Sequence, residues 1–236
     1  MVQGACQPLA APDRVTALAP LWHMQALVAV LLLAPLTSVL VGPPPTPFTS
    51  SGQAQLTQLY LPLLLVNAAF VAYVSRLGLG RSIFWQLFGQ RFREPGQVLA
   101  DVSWGLALAG ALLAFDAMLQ YLAGWPESLA SHALLPQTTG AKLCWLGLAS
   151  LIGLGEELVY RGYLQQQFTA LTGSVAGGIV VQSLLFGIAH GEQGPLTVVR
   201  FTGFALALGC MARQRRGLLG VVACHCALDL YAGLAG

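Results

Sequence analysis

"GLGEELVYRG", residues 153–162, sets two adjacent glutamates and an arginine at the end of an apolar run that is otherwise almost free of charge. Ionisable groups at membrane depth are costly and are by default functional, so the reading turns on whether the chain around them is membrane-embedded. Of 236 residues, 56% are hydrophobic and only 8% are charged, with a mean hydropathy of +0.69. These values lie well outside the range of water-soluble globular domains. From Val15 to Ser75 there is no Asp, Glu, Lys or Arg at all, and at roughly 20 apolar residues per span that stretch alone holds two crossings.

Apolar runs at 21–41, 59–77, 102–123, 141–168, 174–190, 195–212 and 217–234 predict an all-α, polytopic transmembrane helical bundle of about seven spans. The chain divides into residues 1–140, the N-terminal transmembrane helices with an Arg-rich loop, and residues 141–236, a core of four helices. The first connection, "GPPPTPFTSSGQAQ", is uncharged, whereas the second carries Arg76, Arg81, Arg91 and Arg93, and the last hairpin loop adds Arg213, Arg215 and Arg216. Positive loops mark the cytoplasmic side. The expected topology therefore has the N-terminus inside and the C-terminus outside, in a bacterial cytoplasmic membrane. Arg14 beside Asp13, followed by a long apolar stretch, predicts an uncleaved first span. Residues 76–96, with Trp85, read as an interfacial amphipathic segment, and Trp22, Trp104 and Trp145 as interfacial anchors.

The net charge of +2 is small and dispersed, which excludes a nucleic-acid partner. The bilayer is the expected partner, and nothing in the sequence sets the oligomeric state. Five cysteines, an odd number lying mostly in apolar segments, give no disulfide framework. The "CHC" at 224–226 is no metal clip, because alternate helical residues point about 200° apart.

Against this background the polar residues form a set. Glu157 and Arg161 stand four apart with the acid first, the favourable order for a helical ion pair, which leaves Glu156, stacked with Tyr160, as the spare carboxylate. "FGIAH" places Phe186 and His190 on one face of the next helix, and "HCALD" does the same for His225 and Asp229 in the last. Either histidine alone reads more readily as a hydrogen-bonded core residue, and the Glu157–Arg161 pair as structural. Together they supply what activates a water against a peptide carbonyl. Glu156 is placed to act as general base or acid, His190 to share the water or relay its proton, and His225 and Asp229 to face the developing oxyanion.

In order, "EELVYRG" (156–162), "FGIAH" (186–190) and "HCALD" (225–229) resemble the EExxxR, FxxxH and HxxxN/D motifs of the CPBP intramembrane proteases, the family of type II CAAX prenyl endopeptidases and Abi-like bacteriocin-processing or immunity proteins. The resemblance covers roughly Ala141 to the C-terminus. It implies an intramembrane endopeptidase in which Glu156 and His190 activate the water, His225 and Asp229 stabilise the oxyanion, and Glu157 and Arg161 buttress the site. It also implies a substrate that is a membrane-associated peptide, a leader or sorting tail, or a small membrane protein. Members have been read both as metal-free and as metal-dependent. The metal-free glutamate mechanism is favoured here, without a cofactor; the alternative is zinc on Glu156, His190, His225 and Asp229, all acceptable ligands. Asp229 stands where some members have Asn, and an ionised Asp cannot donate to an oxyanion. Two readings outside proteolysis are a non-catalytic membrane scaffold or immunity protein and a proton-coupled carrier, the latter disfavoured by the lack of paired interrupted helices.

Helix lengths leave one discord. Glu156 and His225 fall at a common depth, but a helix starting at residue 174 would carry His190 about 24 Å up, too high to meet them. Either "TGSVAGG" (172–178) dips into the protein, or a helix boundary lies elsewhere.

Overall fold

The computed structural model of the chain describes residues 16–41, 55–76, 94–124 and 135–235, which are helical throughout apart from short connections, with no strand among them. In chain order the α-helices are α1 (Leu21–Leu31), α2 (Leu33–Val41), α3 (Leu61–Val74), α4 (Pro95–Ala123), α5 (Thr139–Glu157), α6 (Gln165–Thr172), α7 (Val175–Ala189), α8 (Pro195–Arg215) and α9 (Leu219–Ala235). A π-helical stretch, Leu56–Tyr60, leads into α3, and a second, Leu158–Leu164, joins α5 to α6 without a break. Among the described residues, four segments are long and apolar enough to cross a membrane: Leu56–Val74, Pro95–Leu122, Thr139–Thr172 and Pro195–Arg215. Three shorter apolar helices, Leu21–Leu31, Val175–Ala189 and Leu219–Leu234, complete the set. The protein is an integral membrane protein built as an all-α bundle. The Arg81–Arg93 part of the Arg-rich loop, Trp85 with most of the expected interfacial segment, the Asp13–Arg14 pair and the first connection at 42–54 lie outside the described residues.

The surface is that of a lipid-facing protein. Trp22, Leu40, Leu99, Trp104 and Tyr121 are among many large apolar side chains left exposed, while the buried positions hold a mixture of apolar and polar groups, including Glu157, Arg161, Gln182 and His225.

Two boundaries differ from the sequence expectation, each for a backbone reason. The run 21–41 is broken at Leu32, because Pro35 has no N–H to donate to the Leu31 carbonyl and its ring crowds that carbonyl; the chain restarts as α2 with Leu36 N bonded to Leu32 O. The helix read as 141–168 continues to Thr172 and ends on Gly173, whose φ of +64° is the left-handed cap that favours glycine. Ser174 then caps α7, its side chain accepting from Gly177 N at 3.2 Å.

This second boundary removes the depth discord. Glu156 lies 16 residues before Thr172, and His190 lies 15 residues after Val175. Counted from the shared turn at about 1.5 Å per residue, the two are level to within one residue's rise. No dip of the 172–178 segment is needed.

Helix α7 packs on α8 and α6, α9 packs on both α4 and α5, and α3 lies against α5. Small residues bring α4 and α9 together: a Cβ on Gly105 would run into the Gly220 carbonyl, and one on Gly220 would stand 2.9 Å from Asp101 O. This is the close backbone approach that membrane helices use where the hydrophobic effect cannot join them. Arg215, at the end of α8, forms an ion pair with Asp101 of α4 at 2.7 Å. Trp145, expected at the interface, is instead buried and donates from Nε1 to the Asp229 carbonyl at 2.8 Å, fastening α5 to α9 at the level of the polar set.

Candidate active site

The polar cluster begins where α5 gives way to the π-helical stretch. All seven residues of Leu158–Leu164 are buried, and π-helical turns of this kind occur frequently at functional sites. Glu157 is fully buried and accepts from Arg161 Nη1 at 2.7 Å. Arg161 also donates from Nη2 to Ala205 O of α8 at 3.4 Å, and its guanidinium lies 4.9 Å from the centre of the Phe186 ring. The expected structural pair is present. It has a further partner that sequence spacing did not reveal.

That partner is His225 of α9. Its Nδ1–H donates to Glu157 Oε1 at 2.7 Å, which commits one ring nitrogen and leaves Nε2 to face the other two acids. Nε2 stands 3.7 Å from Glu156 Oε2 and 3.7 Å from Asp229 Oδ2. Both distances are too long for a direct hydrogen bond. They are short enough for a single water oxygen, about 2.8 Å from each neighbour, to bridge the imidazole to either carboxylate. Glu156 and Asp229 are only partly buried, with side chains 21% and 31% exposed, while Glu157 is 0% exposed. The inner acid is therefore locked and the outer two are approachable.

His190 ends α7. Its Nδ1–H donates to Phe186 O at 2.7 Å, leaving Nε2 available as an acceptor. Its ring lies 4.7 Å from Phe186 and stands edge-on to Phe201 at 5.0 Å. Among the described residues His190 makes no ion pair with Glu156, His225 or Asp229; it is within electrostatic reach of Asp229. What links it to the cluster is Phe186, whose ring also meets Tyr160 at 4.8 Å and His225 at 6.2 Å, both edge-on. One aromatic ring thus supports both imidazoles and the guanidinium. The structure brings Glu156, Glu157, Arg161, His225 and Asp229 into direct polar proximity, and places His190 beside them through packing.

Three features escaped the sequence reading. Glu192, two residues past His190, lies within electrostatic reach of Tyr160; its only sequence signal was a charge in an apolar region. Asp116 and Arg200 form an ion pair between α4 and α8, to which Gln120 adds a hydrogen bond at 3.1 Å. His23 of α1, fully buried, bonds Tyr163 Oη through Nδ1 at 2.6 Å and stacks on Tyr73 at 4.0 Å.

As metal ligands the same residues fit less well. Among the described residues no three His, Cys, Asp or Glu side chains are grouped to hold an ion.

With this geometry in view, the comparison with known families is informative. The stretch 138–231 matches the family model described as type II CAAX prenyl endopeptidase Rce1-like. Over these residues the chain is similar to the Rce1-like family. It is the family to which the three motifs pointed, and it contains all of them. The Rce1-like match supports an intramembrane protease in general terms, and it covers α5 to α9 while leaving α1 to α4 outside. No curated protein and no solved structure matches the chain.

Proposed function

We propose that the protein is an intramembrane endopeptidase of the glutamate-activated type. Glu156 holds a water and takes its proton as the oxygen attacks the scissile carbonyl carbon, while His190 Nε2 shares that water. The developing oxyanion lies against Nε2 of His225, which as N–H donates to it, and Asp229, one helical turn on, orients that imidazole. Glu157 and Arg161 hold His225 from behind. Glu156 then returns the proton to the leaving amine as the C–N bond breaks. The observation that carries this reading is the pair of 3.7 Å separations from His225 Nε2 to Glu156 and to Asp229, a gap fitted to one water between a base and a donor. The Rce1-like match supports intramembrane proteolysis in general.

The substrate class proposed is a membrane-associated peptide: a leader, a C-terminal sorting tail or a small membrane protein, cut near the membrane surface of a bacterial cytoplasmic membrane with the N-terminus of the enzyme inside. In the expected bacterial membrane a prenylated tail is disfavoured, because it needs a prenylating host.

Glu156→Gln preserves size and most hydrogen bonding while removing the base. Comparison of membrane proteomes with and without the protein identifies the precursor that persists. Processing of that precursor is then expected to fall by about 10²–10⁴-fold in the variant, with insertion and accumulation unchanged. Normal processing by Glu156→Gln excludes Glu156 as the base and leaves the scaffold or immunity reading standing.

A further inference from the structure

Close to Arg161 the protein buries two polar side chains, Gln165 and Gln182, that the proposed chemistry does not use. Gln165, one helical turn beyond Arg161, is 7% exposed, and Gln182 of α7 is 0% exposed. Their amide nitrogens are spoken for. Gln165 Nε2 donates to Gly209 O at 3.3 Å, and Gln182 Nε2 donates to Ser183 Oγ at 2.7 Å and Ala205 O at 3.4 Å. The Ala205 carbonyl also receives Arg161 Nη2, so the three side chains share one turn of α8.

Within that turn Gly209 sets the space. A Cβ there would stand 2.9 Å from Gln182 Nε2 and 3.0 Å from Gln165 Oε1, so the two amide head groups approach the same small region. Three buried atoms in the cluster have no partner in the protein: Gln165 Oε1, Gln182 Oε1 and Arg161 Nε. Two are acceptors and one is a donor. Leaving a buried polar group unpaired costs as much as the desolvation it suffers, and reversing either amide trades an unpaired oxygen for an unpaired N–H, since both nitrogens already face carbonyls. A water molecule carries the complement: two O–H donors and lone pairs to accept, and buried waters typically make about three hydrogen bonds to groups of this kind.

We infer that Gln165, Gln182 and Arg161 form a binding site for one structural water, roofed by Gly209, which donates to the two glutamine carbonyls, accepts from Arg161 Nε and so holds the guanidinium that braces Glu157 and His225. The site is distinct from the position of the attacking water. Its existence does not depend on the protease reading; only its effect on processing does. The three residues act on the reaction through Arg161 and are positioning residues.

The direct test is a crystal structure of the full chain from lipidic mesophase, at a resolution that shows ordered solvent. Density within hydrogen-bond distance of both Gln165 Oε1 and Gln182 Oε1 is expected; a dry cluster in which the amides pair with each other overturns the inference. Gly209→Ala supplies an independent readout by pushing a methyl group against the two head groups. A fall in Tm of about 2–4 °C, with kcat for the persisting precursor reduced about tenfold and KM kept, is the expected result. Unchanged or raised Tm means that the methyl fills an empty void, and also overturns it. Since Tm and solvent density are read without any substrate, failure of the water site and failure of the protease assignment are told apart.

Discussion

Glu157 and His225, 68 positions apart in sequence, meet through a 2.7 Å hydrogen bond between a fully buried carboxylate and the Nδ1 of an imidazole. The same oxygen, Oε1, also receives Arg161 Nη1 at 2.7 Å. One carboxylate oxygen therefore joins α5 and the π-helical turn to α9. Removing one member of a buried charged pair leaves the other uncompensated, at a cost of about 3–5 kcal/mol. Glu157→Ala is expected to lower the thermal stability of the purified protein strongly and to abolish processing, whereas Glu156→Gln leaves stability near that of the parent. Equal Tm values for the two variants would falsify the division between a locked and an approachable acid.

Phe186 is expected to matter for both imidazoles at once. Its ring contacts Tyr160, His190, Phe201 and His225 and underlies Arg161, and truncating a buried Phe to Ala typically costs about 3–5 kcal/mol. Phe186→Leu keeps most of the volume and is expected to accumulate normally while processing at least tenfold more slowly, because the ring faces that orient His190 and His225 are lost. Full activity of Phe186→Leu, measured on the precursor, argues that the ring serves packing alone.

Asp116 and Arg200 test a different link. The pair bridges α4, outside the matched domain, to α8 within it. Asp116→Leu leaves Arg200 without its carboxylate, whereas Asp116→Leu combined with Arg200→Leu replaces both by apolar groups. The single variant, which leaves a half-buried cation uncompensated among apolar helices, is expected to melt at a lower temperature than the double variant. A double variant less stable than either single one points to an interaction that an apolar pair does not replace.

Metal dependence is decided by a measurement on the purified protein. Processing is expected to persist in excess chelator, with zinc far below one per chain by elemental analysis. Stoichiometric zinc that leaves together with activity replaces the glutamate mechanism with one in which Glu156, His190, His225 and Asp229 act as ligands.

Much of this arrangement was legible because membrane chemistry is strict. The residues at 156, 157 and 161 stood out because a charge among lipid-facing residues needs a reason, and four-residue spacing gave the Glu157–Arg161 pair directly. The bond from Glu157 to His225 was not legible, since the rotational register of α5 against α9 depends on contacts such as Gly153 with Cys226 and Trp145 with Asp229 that no local pattern encodes. Pro35 and Gly173 are different. Both carried plain local signals, a missing N–H and a left-handed cap, and hydropathy averaged over a window blurs them because it weighs side chains and ignores the backbone.

The equal lengths of chain on either side of Gly173 make that turn a plumb point from which two arms hang to the same mark. Residues added to or removed from one arm alone, by even a single helical turn of about 5.4 Å, would carry Glu156 past His190 however well each helix still fitted the bilayer. Matched changes in both arms would keep those two residues level with each other but would draw them away from His225 and Asp229, which hang on α9. The height of the candidate centre is thus held by three arms that can change only in step.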